Sequence, residues 1–193
     1  RFGKQIDFNA NNKISRLIDV DGNTMTFTYN ADGLQTVIDA FNRTLTLSYA
    51  GGKLSSVSDS TSRTVLYGYT GDELTSYTDP ELKVWGYGYD TEHRMTSLTN
   101  PLTVTTATLT YDSLGRVKTQ TFPRQGGGTA THNFYFSGFR NVEEDPDNKT
   151  LIYYFDEKGR LTAEKNQLIL IEDKYSSKKE YDGQNHITKV TDA

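Results

Sequence analysis

The chain has 193 residues, no cysteine, a formal charge of −4, 34% hydrophobic residues and 13 Tyr. These totals exclude disulfides, Cys-ligated zinc and thiol chemistry, and they give no basic footprint for nucleic acid. No apolar window approaches the ~18 residues of a membrane-crossing helix, so no membrane insertion is expected, and the wealth of Tyr, Thr, Val and Leu argues against disorder.

The first element, "RFGKQIDF", has no signal-peptide core. Its pattern starts part-way through, as the last element stops part-way through, so a piece of a longer protein is expected. From there an aromatic closes a β-rich run at Phe8, Tyr29, Tyr49, Tyr69, Tyr89, Tyr111, Phe136, Phe155 and Tyr181, with spacings of 21, 20, 20, 20, 22, 25, 19 and 26. After each aromatic comes a turn, among them "NANNK", "NADG", "AGGK", "TGDE", "DTEHR", "DSLGR", "DEKGR" and "DGQNH". Gly, Asn and Asp suit such turns because they tolerate positive φ or bond their own backbone.

A second run follows each turn, opening on Ile14, Leu34, Leu54, Leu74, Met95, Val117, Val142, Leu161 and Ile187. Most units place another apolar residue three positions on, such as Val37, Val57 and Tyr77, and then an Asp or Asn, such as Asp39, Asp59, Asp79 and Asp147. The unit reads as strand, turn, strand, turn. Its first strands alternate cleanly, with Val65, Tyr67 and Tyr69 on one face and Trp85, Tyr87 and Tyr89 likewise. The spacing of three in the second strands needs either a bulge or a sheet covered on both faces. Helices are disfavoured because the segments are short and rich in Thr, Ser and Gly. Isolated hairpins are marginal in water, so the units are expected to stack side by side. A sheet of roughly 15 strands or more must curl. The anchor aromatics are expected to stack on one another as a ladder along the sheet.

Candidate chemistry is sparse. "DVDGN" (Asp19 to Asn23) offers carboxylate oxygens, but Gly22 and Asn30 do not match the Gly and Glu positions of a calcium loop. Glu143, Glu144, Asp145 and Asp147 gather acid in "VEEDPDNK", which an exposed loop explains as well as a cation does. "GGG" (Gly126 to Gly128) lacks the ending of a phosphate loop. His93, His132 and His186 are read as residues in or near separate turns, and no Ser lies in a nucleophile elbow. Lys13, Lys53, Arg94, Arg116 and Arg160 hold the same place in their units; they either pair with turn carboxylates such as Asp112 and Asp156 or form an anionic-ligand stripe, which the net charge disfavours. Trp85 and Tyr87 are read as core positions, with a sugar-stacking surface as the alternative. No catalytic residue, metal ligand or cofactor is assigned.

The unit Tyr-Asp-x-x-Gly-Arg resembles the tyrosine-aspartate (YD) repeat of the Rhs family. The residues that carry the likeness are Tyr111, Asp112, Gly115 and Arg116; Phe155, Asp156, Gly159 and Arg160; Tyr181 and Asp182; and, more loosely, Tyr29, Tyr49, Tyr69 and Tyr89. The resemblance covers nearly the whole chain. It implies an all-β fold of tandem hairpins of about twenty residues, forming one continuous curved antiparallel sheet that is part of a spiral shell. It also implies a large bacterial, exported or surface protein whose repeats enclose a C-terminal toxin cargo, with carbohydrate as a possible ligand of some repeats. One array of eight to nine units over 1–193 is expected, with irregular insertions near 122–133 and 168–179. The self-cleaving signature that closes many such shells is not found. The expected role is a non-catalytic wall module of a toxin-delivery protein, the alternative a cell-surface carbohydrate-binding array. Open sheet edges lead to an expectation of edge-to-edge dimers.

Overall fold

Strand and turn alternate throughout the computed structural model, which describes residues 3–166 and 175–192. All 18 strands pair antiparallel, and the described residues contain no helix. The strands belong to two compact units. The first holds β1 (Gln5–Phe8), β2 (Ile14–Ile18), β3 (Thr24–Tyr29), β4 (Leu34–Ile38), β5 (Thr44–Ala50), β6 (Lys53–Asp59), β7 (Thr64–Thr70), β8 (Glu73–Thr78) and β9 (Val84–Tyr89), with the turn Asn100–Thr103. The second holds β10 (Met95–Thr99), β11 (Thr105–Tyr111), β12 (Val117–Pro123), β13 (Thr129–Ser137), β14 (Arg140–Glu144), β15 (Thr150–Phe155), β16 (Leu161–Asn166), β17 (Ser177–Tyr181) and β18 (Ile187–Asp192). Within each unit every strand pairs with its neighbours in sequence.

The register explains the awkward spacing of three. Tyr29 lies opposite Leu34 and Thr28 opposite Thr36, so Gln35 is an extra residue. That bulge rotates Val37 back onto the face of Leu34, where it meets Phe27. Ser15, Ser55, Thr75, Lys118, Thr162 and Thr188 are skipped in the same way. At three of these positions the bulged hydroxyl donates to a carbonyl of the partner strand: Ser55 to Ser48 at 3.1 Å, Thr75 to Gly68 at 3.4 Å and Thr162 to Tyr154 at 3.1 Å.

In the first unit the bulges sort the two faces. One carries Leu17, Met25, Phe27, Val37, Leu45, Leu47, Val57, Val65, Tyr67, Tyr77 and Trp85 in register from strand to strand. The other carries mainly Thr, Ser and Gly, as in Thr26, Thr28, Thr36, Thr46, Ser48, Ser56, Gly68, Ser76 and Gly86. No second layer covers the apolar face: among the described residues only Ala163 is buried. Cohesion therefore comes from neighbouring side chains on one face, at roughly 0.2–1 kcal/mol per cross-strand pair.

Ten turns share one hydrogen-bonded frame, headed by Asn9, Asp19, Asp39, Asp59, Asp79, Asp90, Asp112, Asp145, Asp156 and Asp182. The first N–H of each donates to the fifth carbonyl at 2.8–3.0 Å, and the fourth N–H to the first carbonyl at 2.9–3.2 Å. The heading side chain's Oδ1 accepts the third and fifth N–H at 2.8–3.0 Å. A short acceptor side chain at the head thus braces these ten turns, although Arg124–Gly128 forms the same backbone frame without one, and the fourth residue takes positive φ. Gly115 meets that demand at 77° and Gly159 at 74°, while Leu82 meets it at 62°.

Three expectations are corrected. Residues 122–133 are not an irregular insertion: β12 and β13 simply lengthen, pairing through Phe122–Ala130 and Pro123–Thr129, and only Arg124–Gly128 turns. Asp145, not Asp147, heads its turn, because its Oδ1 is the one that receives the N–H groups of Asp147 and Lys149. His132 lies within strand β13 rather than at a turn. Of the second expected irregularity, residues 168–174 lie outside the described residues, while Ser177–Lys179 belong to β17.

A leucine at φ 62° carries steric strain that glycine would not. Leu82→Gly is expected to stabilise the chain by about 0.5–1 kcal/mol, read at high dilution, where chains are dissociated, as a higher urea midpoint with unchanged slope; an unchanged or lower midpoint would show that Leu82 makes a compensating contact within the chain.

Candidate functional site

The recurring Tyr-Asp phrase builds a connected line of side chains, and Leu109 to Thr121 shows how. Tyr111 reaches back one hairpin, where its hydroxyl donates to the Met95 carbonyl at 2.5 Å and the Arg94 guanidinium lies 4.7 Å from its ring centre. Asp112 heads the turn through Oδ1, and its Oδ2 accepts Arg116 Nε at 2.8 Å and Nη2 at 2.7 Å. Gly115 supplies the positive φ. Arg116, held by that fork, lies 4.5 Å from the Phe136 ring of the next hairpin.

The same arrangement recurs. Asp90 holds Arg94, and Asp156 holds Arg160, whose guanidinium lies 4.6 Å from the Tyr181 ring. Arg160 also donates to the Asp182 carbonyl and to Asn185 Oδ1 of that next turn. In the first unit Lys13 covers Tyr29 at 4.9 Å and Lys53 covers Tyr69 at 5.7 Å. The hydroxyls of Tyr29, Tyr49, Tyr89 and Tyr181 donate to the carbonyls of Ile14, Leu34, Leu74 and Leu161 at 2.8–2.9 Å. Where the covering position is Gly33, the Tyr49 ring packs so close that a Cβ there would lie 3.0 Å from its hydroxyl.

The expected stack of aromatic on aromatic is thus replaced. Anchors in successive hairpins are separated by two strands, about 9.6 Å, too far for ring contact. A cation covers the ring at Tyr29, Tyr69, Tyr111, Phe136 and Tyr181 and a glycine at Tyr49, while the hydroxyls of Tyr29, Tyr49, Tyr89, Tyr111 and Tyr181 bridge to carbonyls. The basic residues take the pairing role rather than forming a free stripe: in the forks at Asp90, Asp112 and Asp156 the carboxylate already holds the guanidinium.

These bonds set the electrostatics of the turns. The fifth-residue N–H leads in holding Asp39, Asp90, Asp112 and Asp156 below the usual carboxylate range, and with the arginine side chain it outweighs the opposing desolvation. The N–H of Lys149 and of His186 do the same for Asp145 and Asp182. The Thr61 hydroxyl leads for Asp59, and the Asn23 amide for Asp19. Asp19 is thus the head of a turn, with Asn23 Nδ2 on its Oδ2 at 2.8 Å.

The other candidates separate. Glu143 and Glu144 bond to His132 and Asn133 respectively, Asp145 heads its turn, and Asp147 lies 3.6 Å from Arg124. Among the described residues, no group of three or more His, Asp or Glu forms a metal site. Trp85 lies opposite Tyr77, which lies opposite Tyr67, with the two tyrosine rings 5.8 Å apart and tilted 49°. Trp85 and Tyr87 share that face and are half-buried.

One feature escapes the repeat pattern. On the aromatic-bearing face of the second unit, Gln120, His132, Glu143, Tyr153, Glu164 and Lys179 follow one another on β12 to β17. His132 Nδ1 donates to Glu143 at 3.0 Å, Tyr153 to Glu143 at 3.2 Å, and Lys179 to Glu164 at 3.2 Å. Burial, then the Glu143 charge, pushes the Tyr153 hydroxyl up. Its signal in the sequence is charge at positions where alternation calls for apolar residues.

Unfolded carboxylates titrate near pH 4, and the turn carboxylates titrate lower when folded, so the unfolded chain binds protons first as pH falls. Their contribution is complete above about pH 4 and is lost as pH drops through the folded-state values. Melting temperature is expected to fall steeply below that pH, and less steeply in Asp112→Asn, which keeps the N–H acceptor but not the charge. Equal acid slopes in both proteins would remove the carboxylates as the cause.

Comparison with known proteins agrees with this geometry. The RHS Repeat family model matches residues 70–105. A comparison with curated proteins gives no match. Among solved structures, the crystal structure of TcdB2-TccC3-Cdc42 aligns with TM-score 0.64 and 12% identity over 100% of this chain and 12% of that one. TcdB2-TccC3 without its hypervariable C-terminal region aligns with TM-score 0.63 and 12% identity over 98% of this chain. At that identity the likeness is one of fold, and the chain spans 12% of the length of the chains it matches. The strand, turn and strand pattern of about twenty residues runs through the stretch that this model matches, so the chain contains an RHS repeat at residues 70–105 within an array of like hairpins.

Proposed function

We propose that the chain is a non-catalytic wall segment of an Rhs-type toxin-delivery shell, one array of repeats within a longer exported protein that encloses a C-terminal cargo. The observation that carries this reading is the two-sided single layer. In the first unit an apolar and aromatic face backs a Thr, Ser and Gly face, and among its described residues there is no second layer and no buried core. A wall has two unlike sides and needs no interior of its own. The signature residues Tyr29, Tyr49, Tyr89, Tyr111, Asp112, Arg116, Asp156, Arg160 and Tyr181 join each hairpin to the next, which suits a scaffold. The test is limited proteolysis with electron microscopy of the longer polypeptide carrying this segment. A hollow particle with a protease-resistant C-terminal region is expected; a C-terminal region cleaved as fast as an unenclosed control counts against the wall.

A second reading, carbohydrate binding at a surface, draws on one observation. Tyr67, Tyr77, Trp85 and Tyr87 form a half-buried aromatic patch on one face, and sugar C–H faces pack on such rings. A glycan-array screen with calorimetry separates the two. Saturable binding lost in Trp85→Ala and Tyr87→Ala, with the fold intact, would favour recognition; its absence is expected on the wall reading.

A further inference from the structure

The most exposed large apolar side chains of the first unit sit at turn tips. Its turns 19–23, 39–43, 59–63 and 79–83 each join an even-numbered strand to the next odd one, so the meander brings them to one edge of the sheet. The turn Asn100–Thr103 belongs to the same unit. Val20 is 61% exposed, Phe41 76%, Leu82 78% and Leu102 79%. None of the four is required by the turn: Leu82 even occupies the strained positive-φ position. Successive turns are two strands apart, about 9.6 Å, so these residues form an evenly spaced ridge.

The order of the turns is self-complementary. The third of the five, 59–63, carries only small side chains at its tip, Ser60, Thr61 and Ser62. Phe41 and Leu82 stand one turn to either side, and Val20 and Leu102 belong to the turns beyond those. A two-fold axis at Thr61 sets Phe41 against Leu82 of another copy, Val20 against Leu102, and small against small at the centre. The charged groups of these turns are neutralised locally, Arg43 by Asp39 and Glu81 by Lys83, so no unpaired like charges from these two turns oppose the contact. A cavity of about 450 Å³ lies between turns 19–23 and 39–43, lined by Leu17, Met25 and Phe41 among others. The same axis brings Leu82 and Leu102 of the other copy over it.

We propose that this turn edge is a docking surface for a second copy of the chain, an isologous two-fold contact centred on Thr61. It uses side chains at the turn tips, not the open backbone of the outer strands, and it stands whether or not the chain is a shell wall.

The test exploits the absence of cysteine. Thr61→Cys, under mild oxidation at low concentration, is expected to cross-link to itself at least ten times faster than Ala31→Cys, which lies on a turn of the opposite edge. Phe41→Cys is expected to cross-link to Leu82→Cys faster than either does to itself. Sedimentation velocity across a dilution series should show a dimer that Leu82→Asp weakens at least tenfold, while Val190→Lys on β18 leaves it unchanged; circular dichroism checks that each variant folds. A monomer at every concentration, equal cross-linking of Thr61→Cys and Ala31→Cys, or a dimer lost in Val190→Lys but kept in Leu82→Asp would overturn the proposal.

Discussion

The carboxylate that heads nine of the turns is the group on which the rest of the array depends. One oxygen receives two backbone N–H groups and so fixes the turn; in the arginine units the other oxygen holds the guanidinium that covers the next hairpin's ring. A single side chain thus acts at two levels, local conformation and hairpin-to-hairpin contact. Arginine suits the second task because its planar fork can bond a carboxylate on one edge and present a face to a ring. Lysine can cover a ring, as Lys13 covers Tyr29, but as a point charge it does not fork the carboxylate in the same way.

A sheet without a core has no single place where its stability resides. Each strand gains from its two neighbours, the anchor rings from a covering cation, a hydroxyl bond to a carbonyl or both, and the terms recur along the chain. The expected behaviour is that of a one-dimensional array, in which losing one joint weakens the units beside it more than distant ones. Local opening should then begin where joints are weakest. The joint at Tyr49, closed by Gly33 and a hydroxyl bond without a cation, differs in kind from that at Tyr181, where Arg160 also bonds the following turn. Such differences let one repeat sequence set different stiffness along its length.

Much of this was legible in the residues because the repeat does the reading. The anchors Tyr29 to Tyr111 keep their period, their turns carry residues that tolerate positive φ, and the spacing of Leu34 and Val37 already demanded a bulge, which Gln35 supplies. The pairing of Arg116 with Asp112 followed from their place in the unit. Two things were hidden. Periodicity says that aromatics recur but not how far apart they fall across strands, so a stack looked natural where a cation had to intervene. The turns within a phrase and the turns between phrases also looked like two motifs, because Asp112 and Asp59 are followed by different residues; the backbone frame makes them one.

The repeat constrains its turn and anchor positions and leaves the strand centres free. Tyr67, Tyr77 and Trp85 of the first unit and His132, Glu143 and Lys179 of the second lie at central positions on aromatic-bearing faces, yet one set is aromatic and the other charged. Charge at a half-buried position costs desolvation unless it is paired, and here each charged group has a partner on a neighbouring strand. A scaffold that fixes itself through turns and anchors can carry such pairs without disturbing its register. Chemical difference between repeats is therefore to be sought in the middle of the strands, where the Tyr-Asp phrase has no requirement to impose.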